Sequence, residues 1–109
     1  MHDLPRSARL LSGPEFQRVF ESRRRHGNAV FRIHFAESTQ ARLGMAVSRR
    51  VSGRAVVRNR IRRQIRETFR LNRPRLARMD YVVLAQPSAA ELDRAALRTA
   101  LEQLWQRFI

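Results

Sequence analysis

The sequence predicts an α+β fold with the element order α-β-β-α-β-α, in a single domain spanning residues 1–109. Apolar residues recur every three to four positions in three segments, which is typical of helices, and they alternate or run continuously in three others, which is typical of strands. A chain of 109 residues suits one domain with one core. No repeat or low-complexity linker divides it.

The start of the first helix is marked by a capping pattern. Residues 1–11 are basic and have no clear period, so they are expected to form an extended lead-in. Ser12 and Glu15 have the spacing of a capping box, which predicts that the helix begins there. Leu11 and Phe16 are placed to form a hydrophobic staple across this cap.

Two strands are predicted after the first helix, which is expected to run to about Arg25 and stop near Gly27. They occupy residues 28–38 and 41–48, where apolar and polar residues alternate. The alternating apolar positions are Phe31, Ile33 and Phe35 in the first strand and Leu43, Met45 and Val47 in the second. The short polar link between the strands predicts an antiparallel hairpin. The opposite face of the second strand has only small side chains, which leaves room for something to lie against it.

The second helix is predicted over residues 55–70, AVVRNRIRRQIRETFR. At about 100° per residue, its apolar residues fall in one arc and most of its arginines in the opposite arc. The apolar arc contains Val57, Ile61, Ile65 and Phe69. Arg58 is the exception, because it lies within the apolar arc near the helix start. Its side chain either snorkels out of the core or points to a ligand beside the helix N-terminus.

The last third of the chain is predicted to form a buried strand and a helix. Residues 72–79 are expected to be a loop, and residues 80–86, DYVVLAQ, are a continuous apolar run typical of a central strand. Ser88 and Glu91 have the spacing of a second capping box. The buried face of the final helix is predicted to contain Leu97, Leu101, Leu104, Trp105 and Phe108.

Positive charge is concentrated in the first three quarters of the chain. The net charge is +14, and all 23 basic residues are arginine. Residues 1–78 contain 20 arginines and five acids, whereas residues 79–109 contain three arginines and four acids. A small domain this basic repels itself unless a polyanion neutralises it. The use of arginine in place of lysine follows either from bidentate phosphate recognition or from codon bias.

The residue types that enzymes use for catalysis or metal binding form no recognisable constellation. The three histidines are scattered, the four glycines are isolated, and cysteine is absent. No apolar run approaches the roughly 18 residues of a membrane span. We therefore predict no catalytic residues and no metal ligands, and a soluble, cytoplasmic protein without a membrane partner.

The arginines of the second helix form a ladder of like charge. Arg58, Arg62, Arg66 and Arg70 are spaced four residues apart, and such a ladder destabilises an isolated helix. A charge run is usually a solvated face, but a solvated helix normally mixes acids with bases. Bridging phosphates would stabilise the ladder, which favours nucleic-acid contact. Asn59 on the same face can bind a 2′-hydroxyl, a base edge or a hydrated ion.

Two aromatic residues of the first helix have two possible roles. Phe16 and Phe20 share one face with Val19, and this pattern alone favours a place in the core. The functional alternative is a platform on which single-stranded bases stack. His34 on the polar strand face would join such a platform, or it is an ordinary half-exposed strand residue.

Several segments together resemble the bacterial ribonuclease P protein subunit. RNRIRRQIRE, residues 58–67, resembles the arginine-rich signature of that family. SRRV, residues 48–51, is similar to the family's basic step into the same helix, and FQRVF, residues 16–20, to its first-helix motif. The element order also agrees, so the resemblance covers nearly the whole chain.

The resemblance implies a fold and a function. The fold is a two-layer α+β sandwich with a left-handed βαβ crossover, ribosomal protein S5 domain 2-like. The family is the protein partner of a catalytic RNA, and the holoenzyme removes the 5′ leader of precursor tRNA. Magnesium is bound mainly by that RNA and not tightly by the protein, and no protein partner is implied.

The resemblance also implies site residues, carried over by position. The residues implied to bind the catalytic RNA are Arg49, Arg50, Arg58, Asn59, Arg60, Arg62, Arg63 and Arg66. The residues implied to line the leader-binding cleft are Phe16, Phe20, Arg32, His34 and Ala46. Some family members have a tyrosine where this chain has His34, and lysines where it has arginines. Two other interpretations remain: a ribosomal-type basic RNA-binding protein without a leader cleft, and a self-sufficient nuclease.

Overall fold

The computed structural model describes residues 4–109, and these residues form an α+β sandwich. The helices and strands in chain order are α1 (Gly13–Glu21), β1 (Arg25–Gly27), β2 (Phe31–Glu37), β3 (Arg42–Ala46), α2 (Ala55–Asn72), β4 (Met79–Ala85) and α3 (Arg94–Trp105). Short 3₁₀ turns lie at Arg6–Ala8, Arg73–Arg75, Pro87–Glu91 and Gln106–Phe108. The predicted fold class and element order are confirmed, with β1 as an additional short strand.

The four strands form one mixed sheet in the order β1-β2-β4-β3. β2 is antiparallel to both β1 and β4, whereas β3 is parallel to β4. β4 is a central strand, as its continuous apolar run predicts, because an interior strand is covered on both faces. The unit β3–α2–β4 is the parallel crossover for which the family resemblance implies a left hand.

The predicted hairpin between β2 and β3 is wrong, because β4 lies between these two strands. The hairpin that does form joins β1 to β2. Its turn is built by Asn28, whose Oδ1 accepts hydrogen bonds from the backbone N–H groups of Val30 and Phe31, each at 2.9 Å. An asparagine side chain that mimics a backbone turn in this way is a common turn signal.

The first helix ends earlier than predicted, at Glu21. The Ser22 hydroxyl donates to the carbonyls of Val19 and Phe35 at 2.7 Å each, which satisfies the end of the helix and attaches it to β2. Arg23 then adopts a left-handed conformation with φ of 58°. This turn redirects residues 25–27 into the sheet, where the sequence predicted the end of the helix.

The two predicted capping boxes have different outcomes. At α1 the Ser12 side chain accepts from the backbone of Glu15, and Glu15 accepts from the backbone of Ser12, as predicted. The second box is wrong, because residues 88–91 belong to a 3₁₀ turn. α3 begins later, with Asp93 as its N-cap accepting from Ala96 N–H at 2.8 Å.

The lead-in packs more closely than predicted. Within its described part, residues 4–11, a 3₁₀ turn precedes a bridge from Arg9 to β3. Leu10 is buried, whereas Leu11, the expected staple residue, is 54% exposed. Leu10 joins the apolar cluster under α1 in its place. The extended conformation was also predicted for residues 1–3, which lie outside the described residues.

Apolar residues cover both faces of the sheet. The larger cluster lies between the sheet and helices α2 and α3, and it contains the predicted apolar arc of α2, with Ile61, Ile65 and Phe69 fully buried. Trp105 Nε1 donates to Thr68 Oγ1 at 3.0 Å, which satisfies the one polar group of each side chain inside this core. The smaller cluster lies under α1 on the other face. α1 and α2 are therefore held rigidly on opposite sides of the sheet.

Candidate nucleic-acid interface

The sheet face beneath α1 consists of three rows of side chains that cross neighbouring strands. Directly paired residues share a face, so the strand register defines each row. The open row is Gly27, Arg32, Leu84 and Ala46; the covered row is Arg25, His34, Val82 and Gly44; the ionic row is Ala36, Asp80 and Arg42. The rows differ in how much of each α1 covers, and we call the strip along the open row beside α1 the cleft.

α1 lies over the covered row, and Phe16 makes the tightest contact. A Cβ added at Gly44 would lie 2.7 Å from Phe16 Cζ, so only glycine lets the ring approach the strand. The small-residue face of β3 thus makes room for Phe16. Phe16 is partly buried and packs on the apolar cluster with Val19 and Val82. Phe16 therefore packs against the core, and its second possible role, as a stacking surface for bases, stays a prediction.

Phe20, one turn later, is in a different environment. Its side chain is 37% exposed, and its edge meets the His34 ring with centroids 5.0 Å apart. The two aromatic residues therefore separate into a packing residue, Phe16, and an exposed one, Phe20. Phe20 and His34 together form one wall of the cleft.

The open row forms the floor of the cleft. Arg32 and Ala46 are exposed, and Leu84 between them is partly buried. All five residues implied to line the leader cleft are thus brought to one sheet face. The floor therefore combines the aliphatic side chains of Leu84 and Ala46 with the guanidinium of Arg32.

His34 is held as a neutral base at the edge of this floor. Partial burial lowers the pKa of His34, and the positive charges of Arg32 and Arg25 lower it further. Its Nδ1 is buried and has no hydrogen-bond partner among residues 4–109. The imidazole therefore presents an uncharged ring between two arginines at neutral pH.

The ionic row is extended by two side chains of α1, Arg18 and Glu15, and these contacts attach α1 to the sheet. Asp80 is fully buried and accepts from Arg42 Nε at 2.7 Å and Arg42 Nη2 at 2.8 Å, and also from Arg18 of α1. Arg42 Nη1 reaches Glu15 at 3.0 Å. Burial raises the pKa of Asp80, but the hydrogen bonds from Arg42 and Arg18 outweigh it and hold the pKa below its ordinary range.

This ionic row was not anticipated from the sequence. The available signal was Asp80 at the start of the otherwise apolar run of β4, at a position where a charge needs a buried partner. Arg18 of α1 and Arg42 of β3 converge on it, and Arg42 also pairs with Glu15 of α1. These contacts attach α1 to the sheet beside the open row.

The arginines of α2 lie on two sides of the helix. We call the side that faces β3 and the turn after it the β3 flank, and the side that faces α3 and the turn before it the α3 flank. On the β3 flank, Arg58 Nη1 donates to the Ser52 carbonyl at 3.0 Å, and Arg62 donates to the Val47 carbonyl at 3.3 Å and to Asn59 Oδ1 at 3.0 Å. The partly buried Arg58 thus bends back toward the chain entering the helix. These contacts place the β3 flank of α2 beside the end of the cleft, since Val47 follows Ala46.

On the α3 flank, Arg60 and Arg63 have protein partners. Arg60 donates to the Ala90 carbonyl at 3.4 Å, and Arg63 pairs with Glu67 at 3.1 Å. Glu67 also reaches Arg98 of α3 at 3.4 Å. The only acid of α2 therefore pairs on the α3 flank, and the ladder of Arg58, Arg62, Arg66 and Arg70 has no acidic partner among residues 4–109.

The turn between β3 and α2 carries the two remaining predicted arginines. Val51 is buried and its N–H donates to the Ser48 carbonyl, which leaves Arg49 and Arg50 exposed at the tip of the turn. α2 then begins at Ala55, its N-cap residue Arg54 makes no side-chain capping bond, and its first turn contains no acid. Positive side chains near a helix N-terminus interact unfavourably with the helix macrodipole. An anion bound there would offset this unfavourable interaction.

Two further properties concern the described residues as a whole. Within residues 4–109, no group of three or more histidine, aspartate or glutamate side chains is placed to hold a metal ion. No helix in the same range is long and apolar enough to cross a membrane.

Known proteins share both the sequence and the fold of this chain. Residues 4–109 match the model of the family described as Ribonuclease P. The ribonuclease P protein components of Thioalkalivibrio sulfidiphilus and Yersinia enterocolitica are 40% and 42% identical to this chain over 105 residues, which cover 94% of this chain and 88% of each relative.

Solved structures of ribonuclease P proteins have the same fold. The Staphylococcus aureus protein superposes with a TM-score of 0.86 at 27% identity, covering 92% of this chain and 94% of that chain. The Thermotoga maritima protein gives 0.80 at 28% identity, covering 93% and 97%. The family resemblance seen in the arginine-rich helix thus extends over the whole described fold, and the chain belongs to the family of ribonuclease P protein components, the protein subunits of ribonuclease P.

Proposed function

We propose that this subunit binds the ribonuclease P RNA with its arginine-rich surface and the 5′ leader of precursor tRNA with its cleft. By holding both, it promotes removal of the leader and so generates the mature 5′ end of the tRNA. The observation that carries the proposal is that the β3 flank of α2 and the open row adjoin each other at Ala46 and Val47. One protein surface can then contact the catalytic RNA and the substrate together.

The surface assigned to the catalytic RNA begins at the turn before α2. Its residues are Arg49, Arg50, Arg58, Asn59, Arg60, Arg62, Arg63 and Arg66. Guanidinium groups suit this role because they bind phosphates bidentately. The uncapped start of α2 supports it, since an anion near that end of the helix would stabilise it.

The cleft has the chemistry of a site for a single RNA strand. The exposed face of Phe20 and the neutral ring of His34 offer stacking surfaces to unpaired bases. Arg32 and Arg25 at the edge supply positive charge for the backbone of the strand. Phe16 contributes by packing against Gly44 and so supporting the wall of the cleft.

In this proposal the protein is a non-catalytic subunit of an endoribonuclease. Hydrolysis and magnesium binding belong to the RNA, and the protein contributes binding and neutralisation of phosphate charge, which lowers the magnesium requirement. The subunit acts in the cytoplasm on precursor tRNA, and it needs no protein partner for this role.

Replacing Phe20 with alanine tests the cleft. We expect the holoenzyme to bind precursor tRNA with its leader about 5- to 150-fold more weakly, because stacking contributes about 1–3 kcal/mol per base. Binding of leaderless tRNA should not change. The measurement is the Kd of each RNA for the reconstituted holoenzyme, in a buffer that prevents cleavage.

Leu71→Ala provides the matched control, because Leu71 is another exposed apolar side chain, on α2 and away from the cleft. It should leave both Kd values unchanged. An equal loss of affinity for the two RNAs in Phe20→Ala would mean that Phe20 does not contact the leader.

A further inference from the structure

Arginines continue along α2 beyond the segment that resembles the family signature. Arg73 at the end of the helix donates from Nε to the Ala41 carbonyl at 3.0 Å and from Nη2 to Gln40 Oε1 at 3.1 Å. The carbonyls bound by Arg58, Arg62 and Arg73 belong to Ser52 in the turn before α2, to Val47 just after β3 and to Ala41 just before β3. We call Arg58, Arg62, Arg66, Arg70 and Arg73 the arginine track.

The track runs beside an edge of the sheet, since β3 is the last strand in the order. From Arg58 to Arg73 the helix advances about 22 Å, and each step of four residues advances about 6 Å. The track therefore presents guanidinium groups at regular intervals along one side of the molecule.

A cleft of about 340 Å³ lies at the far end of the track, beneath the C-terminus of α2. Its wall is partly apolar, formed by Pro5, Pro74 and Leu76, and Arg70, Arg73 and Arg78 surround it. Leu76 is buried and belongs to the larger core cluster. This C-terminal pocket combines an apolar surface with three converging positive charges.

Helix geometry accounts for two of these arginines but not for Arg78. A cation near a helix C-terminus is favourable, which applies to Arg70 in the last turn and to Arg73 at the C-cap, and Arg73 also holds the chain before β3. The side chains of Arg70 and Arg78 make no hydrogen bond or ion pair with any residue in 4–109. Three guanidinium groups around one pocket repel each other, and an anion among them would remove that repulsion.

We propose that the ribonuclease P RNA follows the arginine track and ends in the C-terminal pocket, where the arginines hold a phosphate and the apolar wall supports its nucleotide. This inference rests on the proposed function and extends the RNA-binding surface by Arg70, Arg73 and Arg78. The leader is not the occupant, because its cleft adjoins Ala46, at the opposite end of β3 from Ala41.

The double variant Arg70→Gln/Arg78→Gln tests the pocket. Arg94→Gln/Arg107→Gln is its matched control, because it removes the same charge from exposed positions on α3 and the C-terminal turn. The Kd of the ribonuclease P RNA is measured over a series of salt concentrations. The pocket variant should reduce the slope of log K against log salt by about 1.5, corresponding to two phosphate contacts, and the control should not.

The possible results separate this inference from the proposed function. Equal slopes for the pocket variant and the control would overturn the pocket. If Arg62→Ala and Arg66→Ala still reduce the slope in that case, the proposed function stands. If they also fail to do so, both the pocket and the RNA-binding surface of α2 are wrong. Both double variants should fold, because none of the four replaced side chains makes a hydrogen bond or an ion pair within residues 4–109.

A tethered cleavage probe identifies which RNA occupies the pocket. The chain has no cysteine, so Thr39→Cys beside the pocket carries a single iron chelate and preserves the bond between Gln40 and Arg73. In the holoenzyme with precursor tRNA, the chelate should cut the ribonuclease P RNA. Cuts confined to the precursor tRNA, or no cuts in either RNA, would contradict the assignment.

Discussion

Replacing Asp80 with asparagine is expected to lower the free energy of unfolding by about 3 kcal/mol, one of the two largest effects that the structure predicts. Removing one partner of a buried ion pair usually costs about 3–5 kcal/mol. The lower end applies because the Arg42 side chain is 24% exposed and keeps Glu15 as a partner. The measurement is urea unfolding at neutral pH, followed by circular dichroism.

Glu37→Gln is the control for this change. Glu37 is also an acid paired with an arginine, but its side chain is 86% exposed and lies 3.8 Å from Arg24. Such a surface pair contributes about 0–1 kcal/mol. If Asp80→Asn destabilised the protein no more than Glu37→Gln, the ionic row would not be what holds α1 on the sheet.

The unmodified protein and Asp80→Asn can also be compared as a function of pH. The pKa of folded Asp80 is lower than in the unfolded chain, so its contribution to stability is complete above the unfolded pKa and is lost as the pH falls through the folded pKa. The difference in stability between the unmodified protein and Asp80→Asn should therefore decrease below about pH 4. A difference that stays constant to lower pH would contradict this sign.

The second large effect is expected at the arginines of the β3 flank. Arg62→Ala and Arg66→Ala should each weaken binding of the ribonuclease P RNA by about tenfold or more, because a hydrogen bond to a charged group contributes about 1.5–3 kcal/mol. Each change should also reduce the slope of log K against log salt by about one phosphate contact. The Kd over a salt series measures both quantities.

Arg94→Ala is the matched control, since Arg94 is an exposed arginine of α3 outside the assigned surface. It should change neither the affinity nor the slope. Unchanged slopes for Arg62→Ala and Arg66→Ala would remove these residues from the RNA contact, whatever their effect on the affinity.

Local patterns predicted the helices and strands well where one periodicity dominates. The apolar arc of α2 and the continuous run of β4 were predicted correctly, because burial on one face or on both leaves a clear pattern. The strand β1 was missed, because its three residues include Arg25 and Gly27 and resemble the end of a helix. Its existence depends on the Arg23 turn and on pairing with β2, which are tertiary features.

Strand pairing was the weakest part of the prediction. A short link between β2 and β3 favours a hairpin locally, but the apolar run of β4 gains more burial between them than at an edge. Adjacency in the sequence therefore predicted the wrong neighbour. The true turn was marked by Asn28, a recognised turn former.

The sequence indicated candidate site residues but not their geometry. It placed most arginines of α2 opposite the apolar arc, yet it did not show that Glu67 pairs only on the α3 flank. The sequence pattern did not distinguish Phe16 from Phe20. In the structure Phe16 packs closely on Gly44, which has no side chain, whereas Phe20 is exposed. The ionic row depends on three elements distant in the chain, and side-chain convergence of that kind has no local pattern.

The most direct test of the central claim is reconstitution of cleavage. The purified protein is mixed with a bacterial ribonuclease P RNA and 5′-labelled precursor tRNA, at a magnesium concentration where the RNA alone is nearly inactive. We predict that the protein restores cleavage at the mature 5′ end and that the protein without the RNA cleaves nothing. Cleavage by the protein alone, or binding of the RNA without restored cleavage, would contradict the account.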